Sequence, residues 1–320
     1  MENRRIINIC RFDEDTRPYF DAYAKELGFI ADNIPLPSRS EEDVIKTMKG
    51  YAAVIAGSGE KYTRSAMTAL LPELRAIMRF GVGYDNIDTK AARELGVTAM
   101  IAAGGNAAAV AEQAMTLMLA ITRHTCRLDR EMRQGKWSPR VATQLEGKTV
   151  GLIGFGRIGR ILAGYLSGFK CELLVIDDYI NDDVLAAHGA RRTSLDEIAA
   201  KSDYISLHAP LSDETRGMIN KTFLGKMKPS AYLINTSRGP VVNEADLIEA
   251  LKNNVIAGAG LDVFEKEPLQ EVSELRDLDN VILAPHAAYN TKEANRLSVK
   301  IMLDNLNSLF KGEPCDGIVS

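Results

Sequence analysis

A chain of 320 residues, 46% hydrophobic and 26% charged, has the composition of a soluble globular protein and enough length for two domains, each with its own core. Its formal net charge of −4 argues against nucleic acid as a partner, because phosphate binding wants a basic face. The first apolar run, residues 6–9, is too short for a signal peptide or a membrane span, so a cytoplasmic protein with no membrane partner is expected. The cysteines Cys10, Cys126, Cys171 and Cys315 are scattered, with no CxxC and no histidine at metal-ligand spacing. Buried or idle thiols and no metal are therefore expected.

The first hundred residues alternate short apolar runs with amphipathic stretches. Segments 6–9, 53–56, 76–80 and 97–101 read as strands, and 15–27, 41–48, 65–71 and 89–95 as helices. Strands and helices taking turns predict parallel strands joined by crossover helices, an α/β sheet covered on both faces. One long Ala-, Leu- and Met-rich helix is predicted over 107–132. Strands then resume at 150–153, 173–176, 204–207, 231–234, 257–261 and 281–283, and a last helix at 292–310. The predicted class is α/β with two doubly wound parallel-sheet domains.

The strongest local signal is Val150-Gly-Leu-Ile-Gly154-Phe-Gly156-Arg-Ile-Gly159, an apolar strand running directly into GxGxxG and a helical pattern. Gly154 permits the tight turn, Gly156 lets a pyrophosphate approach the backbone, and Gly159 lets helix pack close to strand. The pyrophosphate would sit on free amides at the helix N-terminus, where Arg157 and Ile158 lie. The strand at 173–176 ends in Asp177, about 20 residues on, where an acid accepts hydrogen bonds from an adenosine ribose. Together these predict a dinucleotide site, with NAD rather than NADP as cofactor, because a 2′-phosphate would meet the carboxylate. Roughly 150 residues precede the fingerprint, so another α/β unit stands in front of the dinucleotide domain.

With five further motifs, that order resembles the D-isomer-specific 2-hydroxyacid dehydrogenases, the group containing phosphoglycerate dehydrogenase and the glyoxylate/hydroxypyruvate reductases. The motifs are Gly81-Val-Gly-Tyr-Asp-Asn-Ile-Asp88, Gly105-Asn-Ala-Ala-Ala-Val-Ala-Glu112, the 13-residue stretch from Met227 to Gly239 that ends in Asn-Thr-Ser-Arg-Gly, Gly260-Leu-Asp-Val-Phe-Glu-Lys-Glu-Pro268, and Ala284-Pro-His286. The resemblance covers essentially the whole chain. It implies a Rossmann NAD-binding domain (104–290) inserted into a flavodoxin-like substrate domain (1–103 with 291–320). It also implies a homodimer built on the NAD-binding domain, and a small 2-oxo or 2-hydroxy acid as substrate.

The site residues follow from the same resemblance. Arg238 matches the arginine that grips the substrate carboxylate, a task suited to a planar guanidinium. His286 matches the acid–base histidine; protonated, it would donate to the carbonyl oxygen as hydride arrives at carbon 2. Glu267 matches the acid paired with it, fixing which ring nitrogen faces substrate. Val82 and Gly83 match a loop whose amides hold the carboxylate, and Asn106 a polar residue near the substrate. Asp262 matches the acid that bonds the nicotinamide carboxamide. Thr236 is assigned to the cofactor, and His208-Ala-Pro210 matches a segment lining it, in which His208 is expected to be structural. His124 and His188 lie outside every motif.

Phosphoglycerate dehydrogenases carry an Arg-Ser-x-Thr loop after the third strand. Here the loop reads Gly57-Ser-Gly-Glu60-Lys61, with glycine at the arginine position and Lys61 as the candidate replacement. That departure, and a chain ending at Ser320 without a regulatory domain, argue against phosphoglycerate as substrate. Glu267, where formate dehydrogenases have glutamine, argues against formate. The competing class is a binding protein with little turnover, either like the corepressors that share this fold or an NAD sensor. The acidic charge and the lack of disordered tails favour the enzyme.

Overall fold

In the computed structural model, which describes residues 4–320, Cα packing divides the chain into two units. One contains the residues up to Asn106 together with Tyr289–Ser320, and the other is Ala107–Ala288.

The first unit carries strands β1 (Arg5–Asn8), β2 (Ile30–Asn33), β3 (Ala53–Ala56), β4 (Ala76–Arg79) and β5 (Thr98–Ile101). They form one parallel sheet in the order β2-β1-β3-β4-β5, the flavodoxin-like order. Helices α1 (Thr16–Glu26), α2 (Glu41–Met48), α3 (Arg64–Ala69) and α4 (Thr89–Leu95) make the crossovers, and a last helix, Lys292–Lys311, returns to this unit. Side chains alternate across a strand, which sorts the core into two layers. Ile7, Val54, Ile77 and Ala99 pack with Val44, Met48, Met67 and Ala91 of α2–α4. Their neighbours Ile6, Ile55, Met78 and Met100 pack with Phe20 and Ala24 of α1 and Val299, Met302 and Leu306 of the last helix. β2 gave no strand signal in the sequence because it is a short edge strand, Ile-Ala-Asp-Asn, with Ile30 exposed and nothing fully buried.

The second unit opens with α5 (Ala107–Thr122) and α6 (Thr125–Arg133). The single helix expected over 107–132 is thus two, broken at His124, whose φ of 55° is left-handed and incompatible with continuing the first helix. Then follow β6 (Thr149–Ile153), α7 (Arg157–Ser167), β7 (Glu172–Ile176), α8 (Asp182–Ala187), β8 (Ala190–Arg192), α9 (Leu195–Lys201), β9 (Tyr204–Leu207), α10 (Lys221–Leu224), β10 (Tyr232–Asn235), α11 (Glu244–Lys252), β11 (Gly258–Leu261) and β12 (Val281–Leu283). All seven strands are parallel, in the order β12-β11-β10-β9-β6-β7-β8. Leu117, Leu162 and Leu166 cover one face over Val150, Leu152 and Val175. Ile198, Phe223, Leu247 and Leu251 cover the other over Leu174, Ile205 and Leu233. β8, with two exposed arginines among its three residues, likewise gave no strand signal. The strand order reverses direction between β6 and β9. In open α/β sheets, the crevice beyond the strand ends at such a switch point is where ligands bind.

Candidate active site

The fingerprint builds a cradle at that switch point. Gly154 has φ +95°, and a Cβ there would lie 2.7 Å from the carbonyl carbon of His208 and from the nitrogen of Ala209. The loops after β6 and β9 therefore touch, backbone on backbone. A Cβ on Gly159 would lie 2.6 Å from the oxygen of Gly154, so helix α7 also starts against the turn. A Cβ on Gly156, by contrast, would meet nothing within 4 Å. Gly156 is the N-cap of α7 and brings no side-chain cap. The first amides of α7, on Arg157 and Ile158, thus begin the helix without a capping side chain beside open space, which fits a pyrophosphate.

Asp177 lies against this turn. One carboxylate oxygen accepts from the Phe155 amide at 2.6 Å and the other from the Tyr179 amide at 2.9 Å. Arg192 donates to the carbonyls of Asp177 and Ile180 and pairs with Asp182 at 2.8 Å, bracing the loop that follows. Arg191 is engaged with Glu197 at 3.1 Å and Glu172 at 3.6 Å.

Two orphaned buried atoms lie beyond the ends of β9 and β10. The Thr236 hydroxyl and Nδ1 of His208 are buried with no hydrogen-bond partner among the described residues. Buried polar atoms are nearly always satisfied, so both fit a bound ligand. Nε2 of His208 is 2.9 Å from the Ser206 hydroxyl, and burial alone pushes the ring's pKa down to about 4. Pro210 is exposed; its carbonyl accepts from Thr215 at 2.7 Å.

Arg238, Glu267 and His286 come from the loops after β10, β11 and β12, neighbouring strands of one sheet. Nδ1 of His286 lies 2.7 Å from Oε2 of Glu267, whose Oε1 accepts from the Phe264 amide at 3.0 Å. Burial works to raise the Glu267 pKa. The hydrogen bond and charge of His286, the Phe264 amide and the charge of Arg238 outweigh it and hold the carboxyl below its ordinary value. Arg238 stands in extended backbone, and its Nη1 donates to the Ser237 carbonyl at 2.8 Å. Asn235 shapes the loop: Oδ1 accepts from the Ser237 amide at 3.0 Å and Nδ2 donates to the Arg238 carbonyl at 3.0 Å. Next to it, a Cβ on Gly239 would fall 1.9 Å from backbone atoms of Phe264. Only glycine lets the arginine loop and the glutamate loop cross.

Asp262 has no exposed surface. Its carboxylate oxygens accept from the amides of Ala287 at 2.8 Å and Ala288 at 2.9 Å, and its carbonyl accepts from the His286 amide at 2.7 Å. Sequence reasoning assigned this acid to the nicotinamide and missed these backbone bonds. It also missed Asn235 and Gly239. Asn235 left a legible signal, since asparagine commonly bonds an amide two residues on; Gly239 left none, because its contact spans two loops.

In the first unit, Gly81, Val82 and Gly83 form the partly exposed turn after β4, with Gly81 at φ +124°. Asn106 is buried, and its Oδ1 has no partner among the described residues, so it does not act as a helix cap. A Cβ on Gly57 would lie 3.1 Å from the Glu60 carboxylate, which is buried and accepts from the Tyr62 hydroxyl at 3.0 Å. Glu60 turns inward beside position 57, and Lys61 is exposed. His188 bonds the Val184 carbonyl at 2.8 Å. The four cysteines are free; three are partly buried and Cys126 is exposed. Among the described residues no helix is long and apolar enough to cross a membrane, and no three His, Cys, Asp or Glu residues are grouped to hold a metal.

Residues 115–288 match the family described as "D-isomer specific 2-hydroxyacid dehydrogenase, NAD binding domain". The chain belongs to this family. It is 40% identical to a glyoxylate reductase of Thermofilum pendens, over 88% of this chain and 85% of that one. It is 36% identical to a D-3-phosphoglycerate dehydrogenase of Archaeoglobus fulgidus, over 88% of this chain and 54% of that one, so it spans about half of that protein's length. A crystal structure of a glyoxylate reductase from Paecilomyes thermophila superposes with a TM-score of 0.88 at 28% identity, covering 100% of this chain and 99% of that one. The protein is accordingly an NAD-dependent oxidoreductase of the 2-hydroxyacid dehydrogenase class, and its second unit carries the NAD-binding domain.

Proposed function

We propose that this enzyme interconverts a small 2-oxo acid and the corresponding D-2-hydroxy acid, with His286 as acid and base, Glu267 as its partner and Arg238 on the substrate carboxylate. The observation that carries this reading is the 2.7 Å contact between Nδ1 of His286 and Glu267. With Nδ1 held by a carboxylate, Nε2 is the nitrogen that donates to the carbonyl oxygen in reduction and takes the alcohol proton in oxidation. Bound NADH supplies the hydride. Gly154, Gly156, Arg157, Ile158 and Gly159 would hold its pyrophosphate, Asp177 its adenosine ribose, Asp262 its nicotinamide carboxamide, and Thr236, His208 and Pro210 the remainder. Arg238 neutralises the carboxylate and draws electron density from carbon 2. Val82, Gly83 and Asn106 are assigned to substrate on the family pattern, the first two in a substrate domain spanning 1–103 and 291–320.

The test is NADH oxidation with glyoxylate, hydroxypyruvate, pyruvate and branched 2-oxo acids. His286→Ala should lower kcat by about two to four orders of magnitude without changing NADH affinity. Near-normal turnover by that variant would remove His286 from the mechanism.

We further propose a homodimer through the NAD-binding unit. Helix α6 has no buried residue, and the segment after it is exposed, with Trp137 at 83% and Val141 at 98%. Bulky apolar side chains raised on such a strap favour cover by a second copy. Light scattering should give a dimer, and Trp137→Glu should shift it toward monomer. A wild-type monomer at micromolar concentration would exclude this assembly.

A further inference from the structure

We infer that Arg79 is a positioning residue for the substrate carboxylate, holding the amides of the Gly81-Val82-Gly83 turn outward from behind. Nη1 of Arg79, at the end of β4, donates to the Phe80 carbonyl and, at 3.4 Å, to the Ala56 carbonyl at the end of β3. A Cβ on Gly81 would lie 3.4 Å from the same nitrogen, so the guanidinium packs directly against the backbone of the turn. The Gly81 carbonyl accepts from the Ala102 amide at 3.0 Å, just beyond β5. Both peptides are trans, and in a trans peptide the N–H points opposite to the C=O of the same unit. Tying back the carbonyls of Phe80 and Gly81 therefore turns the amides of Gly81 and Val82 away from the guanidinium and from β5.

Among the described residues the N–H groups of Gly81, Val82 and Gly83 have no hydrogen-bond partner, and all three residues are partly exposed. Successive outward amides make a concavity suited to an anion, and Arg79 places a positive charge behind it. That charge is felt through the protein interior. Burial pushes the pKa of the Cys10 thiol, in the loop after β1, up to about 12, with Arg79 pulling it down and Glu60 pushing it further up. Arginine suits the post because its fork of donors can hold two carbonyls at once, whereas an ammonium is a single point. Without the guanidinium the Phe80 carbonyl would be released, the turn would rotate, and the concavity would lose both its shape and its charge.

This inference rests on the reading that the turn receives the carboxylate, and the experiment separates the two. Wild type, Arg79→Gln and Arg79→Lys are compared for kcat and KM with glyoxylate, hydroxypyruvate and pyruvate, with methyl pyruvate, and with NADH. A further protein carries 2-hydroxyisovaleric acid in place of Val82, which turns that amide into an ester and removes its N–H while keeping the side chain. Arg79→Gln should raise KM for the 2-oxo acids by roughly ten- to a hundredfold, the worth of hydrogen bonds to a charged group. Its kcat and its KM for NADH should hardly change. The KM for methyl pyruvate, which has no carboxylate, should hardly change either. Arg79→Lys should fall between wild type and Arg79→Gln, since it keeps the charge but not the planar fork.

Wild-type KM values for the acids in Arg79→Gln would overturn the proposal, whether or not the melting temperature falls. Equal rises for pyruvate and methyl pyruvate would show a turn that has merely lost its shape, and would overturn it too. An unchanged KM for the acids in the Val82 ester protein would instead sink the carboxylate reading of the turn, whatever Arg79→Gln does. If Arg79→Gln does not fold, Arg79→Lys decides: a rise in KM confined to the acids supports the proposal, and wild-type values overturn it.

Discussion

Nδ1 of His286 and Oε2 of Glu267 are 2.7 Å apart, though 19 residues separate them in sequence. The contact exists because β11 and β12 are adjacent parallel strands whose following loops meet at one edge of the sheet. Glu267 is held on the far side by the Phe264 amide, so the pair has a fixed donor, a fixed acceptor and one defined tautomer when the ring is neutral.

Replacing Glu267 with glutamine keeps the shape and removes the charge that would stabilise an imidazolium. We expect kcat for 2-oxo acid reduction to fall by roughly ten- to a hundredfold, less than a general acid's whole contribution of about a hundred- to ten-thousandfold, because the imidazole itself remains. The Glu267 carboxyl is held below its ordinary pKa in the folded protein, by His286, Phe264 and Arg238 acting against burial. A depressed folded value means stability that is fully present above the unfolded carboxylate pKa and lost as pH falls through the folded one. The melting-temperature gap between wild type and Glu267→Gln should therefore be widest near neutrality and close in acid. A gap that grows as the solution is acidified through the carboxylate range would contradict the assignment.

Arg238→Lys should impair both binding and turnover, since an ammonium cannot make a two-point contact with a carboxylate. Weakening one side of a desolvated charge pair costs about 2–5 kcal/mol, and a retained charge puts this variant at the lower end. The KM for 2-oxo acids should rise by at least about tenfold. Equal reduction by wild type of analogues lacking the carboxylate would show that Arg238 serves something else.

NAD should be strongly preferred to NADP. The Phe155 and Tyr179 amides fix the Asp177 carboxylate beside the fingerprint turn, where a 2′-phosphate would approach it. Two unit charges about 4 Å apart repel by roughly 4 kcal/mol at an effective dielectric near 20. Screening lowers that, and a discrimination on the order of a hundredfold remains. Arg192 is close, bonded to the carbonyls of Asp177 and Ile180, so Asp177→Ala should gain NADPH activity as well as lose NADH activity. The measurement is kcat/KM with both cofactors for both proteins; an unmoved ratio would refute the role.

His208 gives a second pH signature. Burial holds its pKa at about 4, below the unfolded value of about 6.5, so the neutral ring is the one that fits the fold. Stability is then complete above the unfolded value and declines as pH falls from there toward the folded one. Wild type should lose denaturant resistance between about pH 7 and about pH 4.5, and His208→Gln should lose less over the same interval. Parallel losses in the two proteins would show that His208 does not titrate with unfolding.

Much of the architecture was legible because its signals are local. Alternating apolar runs marked most of the strands, and an apolar strand running into Gly154, Gly156 and Gly159 marked the cofactor turn. Asp177 was legible as the acid ending the next strand. Elements without an apolar signature stayed hidden: β2 and β8 are short polar edge strands, specified by a neighbour's unpaired amides rather than by their own side chains. The break at His124 was hidden too, since no glycine or proline marks it and residues compatible with a helix continue across it while the backbone turns left-handed.

The types of the proposed catalytic residues were readable as motifs, but their geometry was not. Leu261 pairs with Leu283 in the β11–β12 ladder, and that register sets Asp262 against the turn at 284–288. It thereby decides that a buried carboxylate meets two backbone amides, and it brings Glu267 to His286. Likewise the crossing at Gly239 depends on Phe264, on another loop. The sequence determined which groups the site contains, because turn chemistry and strand periodicity act over a few residues. Tertiary structure alone decided which of them touch, because contacts between loops are set by strand order and register, and these emerge only when the whole sheet packs.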